Sequence, residues 1–405
     1  MLFNEKKAIE VMEEAKLDGL IASSWPNVSY LTEFYHSPIA RLQYHLGEHQ
    51  LFAIYPLKQS EKIILIAPMG DLIIILLESK NPDFDIYTYG LRKLTKPQEE
   101  NVSLTYREKY SQQIFEKYQN NFPSPEEALI AAIKKLNLDK NALGIDEMGV
   151  TPKSMRKIKE ILPQASFKEA YDTWRYIRSV KTPREIELIC RSTRILEKAI
   201  QAVLDEVKPG VSEMELVSIL KKTMISYDAI PYLWNLGFGS ESAITSREPT
   251  DRFLKNSDTI MIDAGCIYKG YYSDLARTAV LGNPSPRHVK YFQAIKHGQQ
   301  AAINFLKPGV RAKEVFEVAV QTVQNAGIPH YKRDHCGHST GIEPYDYPII
   351  SLNCTMILEE NMVINIETPY YELGFGGLQI EDTFVLTKDG HYHISTAIPR
   401  ELIRK

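Results

Sequence analysis

The sequence predicts an α+β protein in which an internally duplicated domain, residues 173–405, follows an α/β domain, residues 1–172. Three observations carry that expectation. At 405 residues the chain is long for one domain and short for three. Strand-like and helical patterns alternate through the first 170 or so residues, as around a central sheet. In the second half a helix–KPGV–helix unit occurs twice, each time followed by strands that carry acids.

In the N-terminal part, LDGLIASS (17–24), QLFAIYPL (50–57) and KIILIAP (62–68) read as strands, and LGID, closing on Asp146, as another. The most apolar stretch, Ile63 to Leu77, is interrupted by Pro68, Gly70 and Asp71. It falls short of the ~20 residues that span a bilayer and predicts a buried strand followed by a helix or a second strand. The polar segment 91–125 predicts an exposed loop and helix without chemistry. A break between the domains is expected around Ala170 to Val180.

Beyond that break, Thr182-Pro183-Arg184-Glu185 is a helix start, with Thr as cap and Pro in the first turn. The helix stops at Lys208-Pro209-Gly210, and a second amphipathic pattern follows. About a hundred residues on, Ser285-Pro286-Arg287 opens a helix that stops at Lys307-Pro308-Gly309, and again a second helix follows.

The chemistry-bearing residues stand after each helix pair. Thr259-Ile260-Met261-Ile262-Asp263 is an apolar strand ending in an acid, and Asp274 lies beyond a turn near Tyr268-Lys269-Gly270. A hairpin is expected to set the two aspartates opposite each other. Like charges so placed are destabilising unless neutralised, and a divalent cation neutralises them. The second repeat offers the counterpart, Glu367 after Met362-Val363-Ile364-Asn365-Ile366, then Glu381 beyond Gly376-Gly377. Between them, Gly337 and Gly341 flank His338 in a turn that can expose an imidazole. Four carboxylates and one imidazole form an oxygen-rich set suited to Mn²⁺, Fe²⁺ or Co²⁺, and to Zn²⁺ where carboxylates bridge two ions. Two such ions would orient and deprotonate a bridging water and polarise a carbonyl.

Composition narrows the remaining classes. The chain is 44% hydrophobic and 24% charged with a formal net charge of −3, so no nucleic-acid footprint is visible. Cys190, Cys266, Cys336 and Cys354 form no CxxC pattern, and the N-terminus has no apolar run of the signal-peptide kind. A soluble cytoplasmic protein with reduced thiols and no membrane partner is expected.

At DAGCIYKGYYSDLART, GHSTGIEPYDYP, INIETPYYELGFGGLQIEDT and EPTDRFLKNSDTIMIDAG the chain resembles the creatinase/methionine aminopeptidase superfamily of pita-bread metallopeptidases. The resemblance runs from Trp174 to the C-terminus, with an N-terminal domain like that of Xaa-Pro aminopeptidases and prolidases. It implies a pita-bread catalytic domain and two divalent ions, Mn²⁺ favoured over Co²⁺, Fe²⁺ or Zn²⁺. Their implied ligands are Asp263, Asp274, His338, Glu367 and Glu381. Asp274 and Glu381 would bridge, Asp263 would serve one ion, and His338 and Glu367 the other. Glu367 would also take a proton from the bridging water as it attacks a C–N bond. A homodimer acting on a small peptide or amide is implied as well. Creatinase shares the fold without metal, a route that the retention of all five ligands argues against.

Two departures bear on substrate. The family pattern GxNSAxxHxxPTDR reads GSESAITSREPTDR here, with Ser246 at the His and Glu241 at the Asn. The pattern GHGIGLxxHExP reads GHSTGIEPYDYP, with Tyr345 at the His. Ser246 and Tyr345 are therefore the expected catalytic hydrogen-bond donors, and neither titrates near neutrality. The alternatives are a specialised hydrolase of a small non-peptide or cyclic amide, as creatinase and ectoine hydrolase are, a di-iron oxygen-activating enzyme, or a non-catalytic binding protein. Tyr370 and Tyr371 are expected to pack, Arg277 to pair with a carboxylate, and His335, His391 and His393 to be structural or exposed.

Overall fold

The computed structural model describes residues 2–33, 50–58, 62–78, 84–92, 94–95, 97–99, 102–118 and 121–405. They form two compact units, Met1–Ile177 and Arg178–Lys405.

The first unit is α/β, as the alternating pattern predicts. Its elements are α1 (Glu5–Ala15), β1 (Gly19–Ala22), α2 (Trp25–Thr32), β2 (Phe52–Pro56), β3 (Ile63–Pro68), α3 (Leu72–Glu78), β4 (Phe84–Tyr89), α4 (Tyr106–Lys117), α5 (Pro125–Lys135), β5 (Ala142–Ile145), α6 (Pro152–Ile161) and β6 (Ser166–Glu169). The strands form one mixed sheet in the order β4-β3-β2-β1-β5-β6. The apolar stretch after Ile63 is a strand followed by a helix, as its Pro68 and Gly70 interruption requires. In the segment 91–125, α4 has no buried residue; residues 93, 96, 100, 101, 119 and 120 lie outside the described ones.

The division between the two units falls after Ile177, within the stretch Ala170 to Val180 where a break is expected, and the chain passes through it as a helix, α7 (Tyr171–Ser179). Trp174, Ile177 and Arg178 fall three and four residues apart and are all fully buried. That one-sided burial holds the segment helical.

The second unit contains α8 (Pro183–Asp205), α9 (Glu213–Ser226), β7 (Ile230–Phe238), β8 (Thr259–Tyr268), β9 (Tyr271–Val280), α10 (Pro286–Phe305), α11 (Ala312–Asn325), β10 (Gly337–Ser339), β11 (Asp346–Ile349), β12 (Val363–Glu367), β13 (Tyr370–Glu372), β14 (Gly376–Leu378), β15 (Glu381–Thr387), β16 (Gly390–His393) and β17 (Ile403–Arg404). Its main sheet runs β11-β10-β12-β15-β9-β8-β7, with β16 on β15 and β17 on β9. Thr182 and Ser212 start α8 and α9 with reciprocal capping boxes to Glu185 and Glu215.

The duplication is visible bond by bond. Gly210 and Gly309, at φ +82° and +89°, end the two KPG turns. Gly210 N–H donates to Leu254 O, and Leu254 N–H donates back to Val211 O. Gly309 N–H donates to Leu358 O, and Leu358 N–H to Val310 O. Each helix pair covers the strands of its own repeat. Ile195, Leu196, Val203 and Leu220 pack on Ile260, Ile262 and Leu275; Ala302, Val315 and Phe316 pack on Ile364, Ile366 and Phe384. The acids alternate with these core residues along the strands and so point to the opposite face.

Candidate metal centre

Strand register aligns the acids across four neighbouring strands. Ala276 on β9 is the partner of Asp263 on β8 and also of Glu381 on β15, and Glu381 is the partner of Glu367 on β12. Asp263, Glu381 and Glu367 therefore share one row. Asp274 stands two residues from Ala276, and His338, partner of Asn365 on β12, stands two residues along from that row and so on the same face.

The two glutamates are directly opposed, but the aspartates are not as expected. Asp274 pairs with Gly265, and Asp263 sits diagonally from it. The cause is the two-residue turn Lys269-Gly270, both at positive φ (+48° and +84°), which pairs Tyr268 with Tyr271 and so fixes the register. The diagonal keeps both aspartates on one face while leaving Gly265 free of a side chain beneath Tyr232.

Ligand atoms of Asp274, His338 and Glu381 lie within 4.8 Å of one another. His338 Nδ1 is 3.1 Å from Ser339 O, so its N–H donates there and Nε2, 3.8 Å from Glu381 Oε1, keeps its lone pair. Burial pushes the His338 imidazole down to about 4, which leaves it neutral, as a ligand must be. Asp274 Oδ1 and Glu381 Oε1 are buried without a hydrogen-bond partner. Burial, then the mutual charges of the cluster, pushes both carboxyls far up; burial and Glu367 push Asp263 up to about 7. Buried oxygens lacking donors, beside a neutral imidazole, are what a divalent cation satisfies. The residues present fit a metal.

Glu367 is different. Burial works against its charge, but His335, with His338 and Arg333, holds its carboxyl below the usual range. His335 Nδ1 lies 3.2 Å from Glu367 Oε1, and Gln379 Nε2 donates to Oε2 at 3.2 Å. His335 is thus at the site rather than merely structural. Its sequence signal was only its place three residues ahead of His338.

Tyr345 stacks on His338, with ring centres 3.9 Å apart, and is 45% exposed. Burial and the carboxylates of Glu367, Glu381, Asp274 and Asp263 raise its pKa, so the phenol stays protonated. Ser246 lies on an exposed turn at φ +57°, with no hydrogen bond to its hydroxyl among the described residues. Glu241 is exposed, 3.9 Å from Arg252.

The supporting shell was only partly legible in the sequence. Arg277 does pair with a carboxylate: Nη2 is 2.7 Å from Asp382 Oδ1, and Nη1 donates to Glu381 O at 2.7 Å. Asp382 also meets Gln299, Ser395, His393 and Arg400. This network clamps the backbone of Glu381 from the core side. His391 is structural, its Nδ1 2.8 Å from Leu306 O. Tyr370 packs edge-on to Tyr291, while the Tyr371 hydroxyl donates to Gln379 Oε1 at 2.9 Å. Two residues escaped the sequence reading. The Tyr232 hydroxyl donates to Asp274 Oδ2 at 2.8 Å, and Asn235 Nδ2 to Asp263 Oδ2 at 3.5 Å.

Gly265 makes the Tyr232 contact possible. A Cβ there would lie 2.2 Å from Tyr232 Cε1 and 2.6 Å from its hydroxyl. Gly265→Ala is expected to displace the ring and weaken divalent-ion affinity by roughly 10-fold or more. Calorimetric titration should give Tyr232→Phe a comparable loss. Full affinity in Gly265→Ala would remove Tyr232 from the site.

Comparisons with known proteins match this construction. Residues 187–388 match metallopeptidase family M24, and residues 6–180 match the creatinase/prolidase N-terminal domain. The chain is 31% identical over 251 residues to a Xaa-Pro dipeptidase of Pyrococcus horikoshii, covering 61% of this chain and 71% of that protein. It is 31% identical over 264 residues to a Xaa-Pro dipeptidase of Pyrococcus furiosus, covering 64% and 75%. The crystal structure of the prolidase from Pyrococcus horikoshii superposes with a TM-score of 0.77 at 25% identity, over 98% of this chain and 99% of that one. Among the described residues no helix is long and apolar enough to cross a membrane. The pita-bread fold with a creatinase-type N-terminal domain is borne out, and the chain belongs to metallopeptidase family M24, the metal-dependent peptide hydrolases.

Proposed function

We propose that residues 173–405 are the catalytic domain and that Asp263, Asp274, His338, Glu367 and Glu381 hold two divalent ions, Mn²⁺ before Co²⁺, Fe²⁺ or Zn²⁺. The substrate is a short peptide with proline in second position. One observation carries the reading: the partnerless buried oxygens of Asp274 and Glu381 beside the neutral imidazole of His338. The ions supply an activated water and a polarised scissile carbonyl. The protein's own groups do the rest. Glu367, held ionised, takes the water's proton and returns it to the leaving nitrogen. His335 and Gln379 fix the orientation of that carboxylate. Tyr345 keeps its proton and donates a hydrogen bond to the oxygen on which charge develops. Ser246 is a second donor, from its exposed turn. The working form is a cytoplasmic homodimer, which light scattering tests.

The test is a metal-supplemented screen of Xaa-Pro dipeptides and small cyclic amides with Glu367→Ala as the blank. We expect turnover to fall at least ~10³-fold in the blank; equal turnover would remove Glu367 as the base. A second reading, a hydrolase of a small non-peptide amide, is favoured by Ser246 and Tyr345 where the family pattern has histidines. If Ser246→His with Tyr345→His creates Xaa-Pro cleavage that the natural chain lacks, the second reading replaces the first.

A further inference from the structure

Tyr345 stands in the turn between β10 and β11, and the groups that hold that turn lie outside the acid row. Glu343, two residues before Tyr345, and Asp346, the residue after it, both pair with Arg178. Arg178 Nη2 is 2.9 Å from Asp346 Oδ1 and also meets Glu343 Oε2. One guanidinium therefore fastens the chain on both sides of the tyrosine. Lys181 braces the same aspartate at its other oxygen, with Nζ 3.4 Å from Asp346 Oδ2, and donates to Ser339 Oγ at 3.0 Å. Ser339 is the cross-strand partner of Asp346, and its carbonyl accepts the His338 N–H. The clasp thus holds the chain next to both rings of the Tyr345–His338 stack.

The side chains of Arg178, Lys181 and Asp346 are at most 1% exposed. Burying charge is costly, and apolar side chains of like volume are often as stabilising as a buried ion pair or more so. Stability is therefore a poor account of the cluster, and a fixed position for what it holds is a better one. The turn is shaped to the clasp as well. A Cβ on Gly341 would lie 2.4 Å from Asp346 Oδ2 and 3.1 Å from Lys181 Cε. Asp346 is held at both oxygens, so a methyl group there would have to break the pair. Tyr272 N–H, on β9, donates to Gly341 O, and Lys181 N–H donates to Asn361 O just ahead of β12. Turn and clasp are thus tied to the strands that carry Asp274 and Glu367.

We propose that Arg178 and Lys181 are positioning residues for Tyr345, holding its ring on His338 so that the phenol meets the oxygen on which charge develops. The inference rests on the reading of Tyr345 as that hydrogen-bond donor. At 45% exposure on a turn, the ring is less confined than a core side chain would be. A donor misplaced by about 1 Å costs on the order of 10²-fold in rate. The clasp supplies from behind the confinement that packing does not supply from the front.

The test is a double-mutant cycle on the metal-loaded full chain, with Ala-Pro as substrate. Arg178→Gln should lower kcat ~10- to 100-fold with KM and Mn²⁺ affinity nearly unchanged. In the Tyr345→Phe background, where no donor is left to misplace, the same substitution should change kcat less than ~2-fold. Losses that multiply in the double variant, or natural kcat in Arg178→Gln, overturn the proposal. If Arg178→Gln does not fold, Asp346→Asn, of nearly the same shape, runs the same cycle with the same two readings. If the natural chain does not turn over Ala-Pro, the hydrolase reading fails by itself, and amide hydrogen exchange still reads the clasp. Gly341 N–H donates to Glu343 O inside the turn, and Ile350 N–H to Gly337 O beyond it. Arg178→Gln should then speed exchange at Gly341 at least ~10-fold and leave Ile350 as it was. Unchanged protection of Gly341, or equal loss at both amides, overturns the clasp.

Discussion

In the metal-free protein, Glu381→Gln is expected to raise the melting temperature at pH 8 while divalent-ion binding is lost. Burial and neighbouring charge push Asp274 and Glu381 far above the usual carboxylate range and Asp263 up to about 7. In the unfolded chain the same carboxyls release their protons near pH 4. From there up to the folded values the native state binds more protons than the unfolded one. Stability therefore falls as pH rises through that window. His338 works the other way between its folded value of about 4 and an unfolded value near 6.5, so the carboxylates act unopposed by it only above that. Between pH 6.5 and 8 the natural, metal-free chain should lose several degrees, roughly 5 °C.

Glu185, pushed up to about 8 by burial, contributes in the same sense but is not in the row, and so responds neither to ions nor to Glu381→Gln. Added Mn²⁺ should reverse the trend, because an ion bound only by the folded state stabilises it and requires ionised ligands. Glu381→Gln removes one charge at nearly constant shape, so its pH slope should be shallower and its Mn²⁺ titration featureless. Thermal melts at two pH values, with and without Mn²⁺, check all of this. A natural chain more stable at pH 8 than at 6.5 without metal would remove the unneutralised carboxylates as a source of strain.

What the sequence made legible follows from how local each feature is. The acids could be found because each stands beside an apolar run: Glu367 closes β12 and Glu381 opens β15, while Asp263 follows Ile260-Met261-Ile262 and Asp274 precedes Leu275-Ala276 inside their strands. The helix pairs could be found because caps and KPG turns are short-range signals. Two features of the fold were not legible because such signals do not contain them. The aspartates' diagonal depends on whether Lys269-Gly270 is the whole turn, and one residue more would have paired them differently. The helix over Tyr171–Ser179 has no residue ahead of it that announces a cap, and what holds it is burial of Trp174 and Ile177. In the site, Tyr232 and Asn235 were missed because their strand carries no charge and their roles appear only once β7 lies beside β8. His335 was set aside because a His in a loop has no intrinsic direction. Only the fold turns its Nδ1 toward Glu367.

Gly337→Ala is expected to cost the second unit about 3 kcal/mol or more and to disrupt the same ions by a different route. Gly337 sits at φ +132°, a conformation that side chains other than hydrogen rarely adopt. Its Cβ position is 2.0 Å from Asn365 O and 2.9 Å from Asn365 C, backbone atoms of β12 that cannot swing aside as a side chain can. Gly337 also pairs with Ile366, the residue before Glu367, and immediately precedes His338. A methyl group there must therefore separate β10 from β12, which is the spacing that sets His338 against the acid row. The melting temperature should fall roughly 6–12 °C, with and without metal, and Mn²⁺ affinity should fall with it. Glu381→Gln and Gly337→Ala thus both lose the ions while moving metal-free stability in opposite directions, one by relieving buried charge and the other by breaking the backbone that gathers it. If Gly337→Ala melted as the natural chain does, β10 would not be held against β12 by close backbone contact, and the placement of His338 would need another cause.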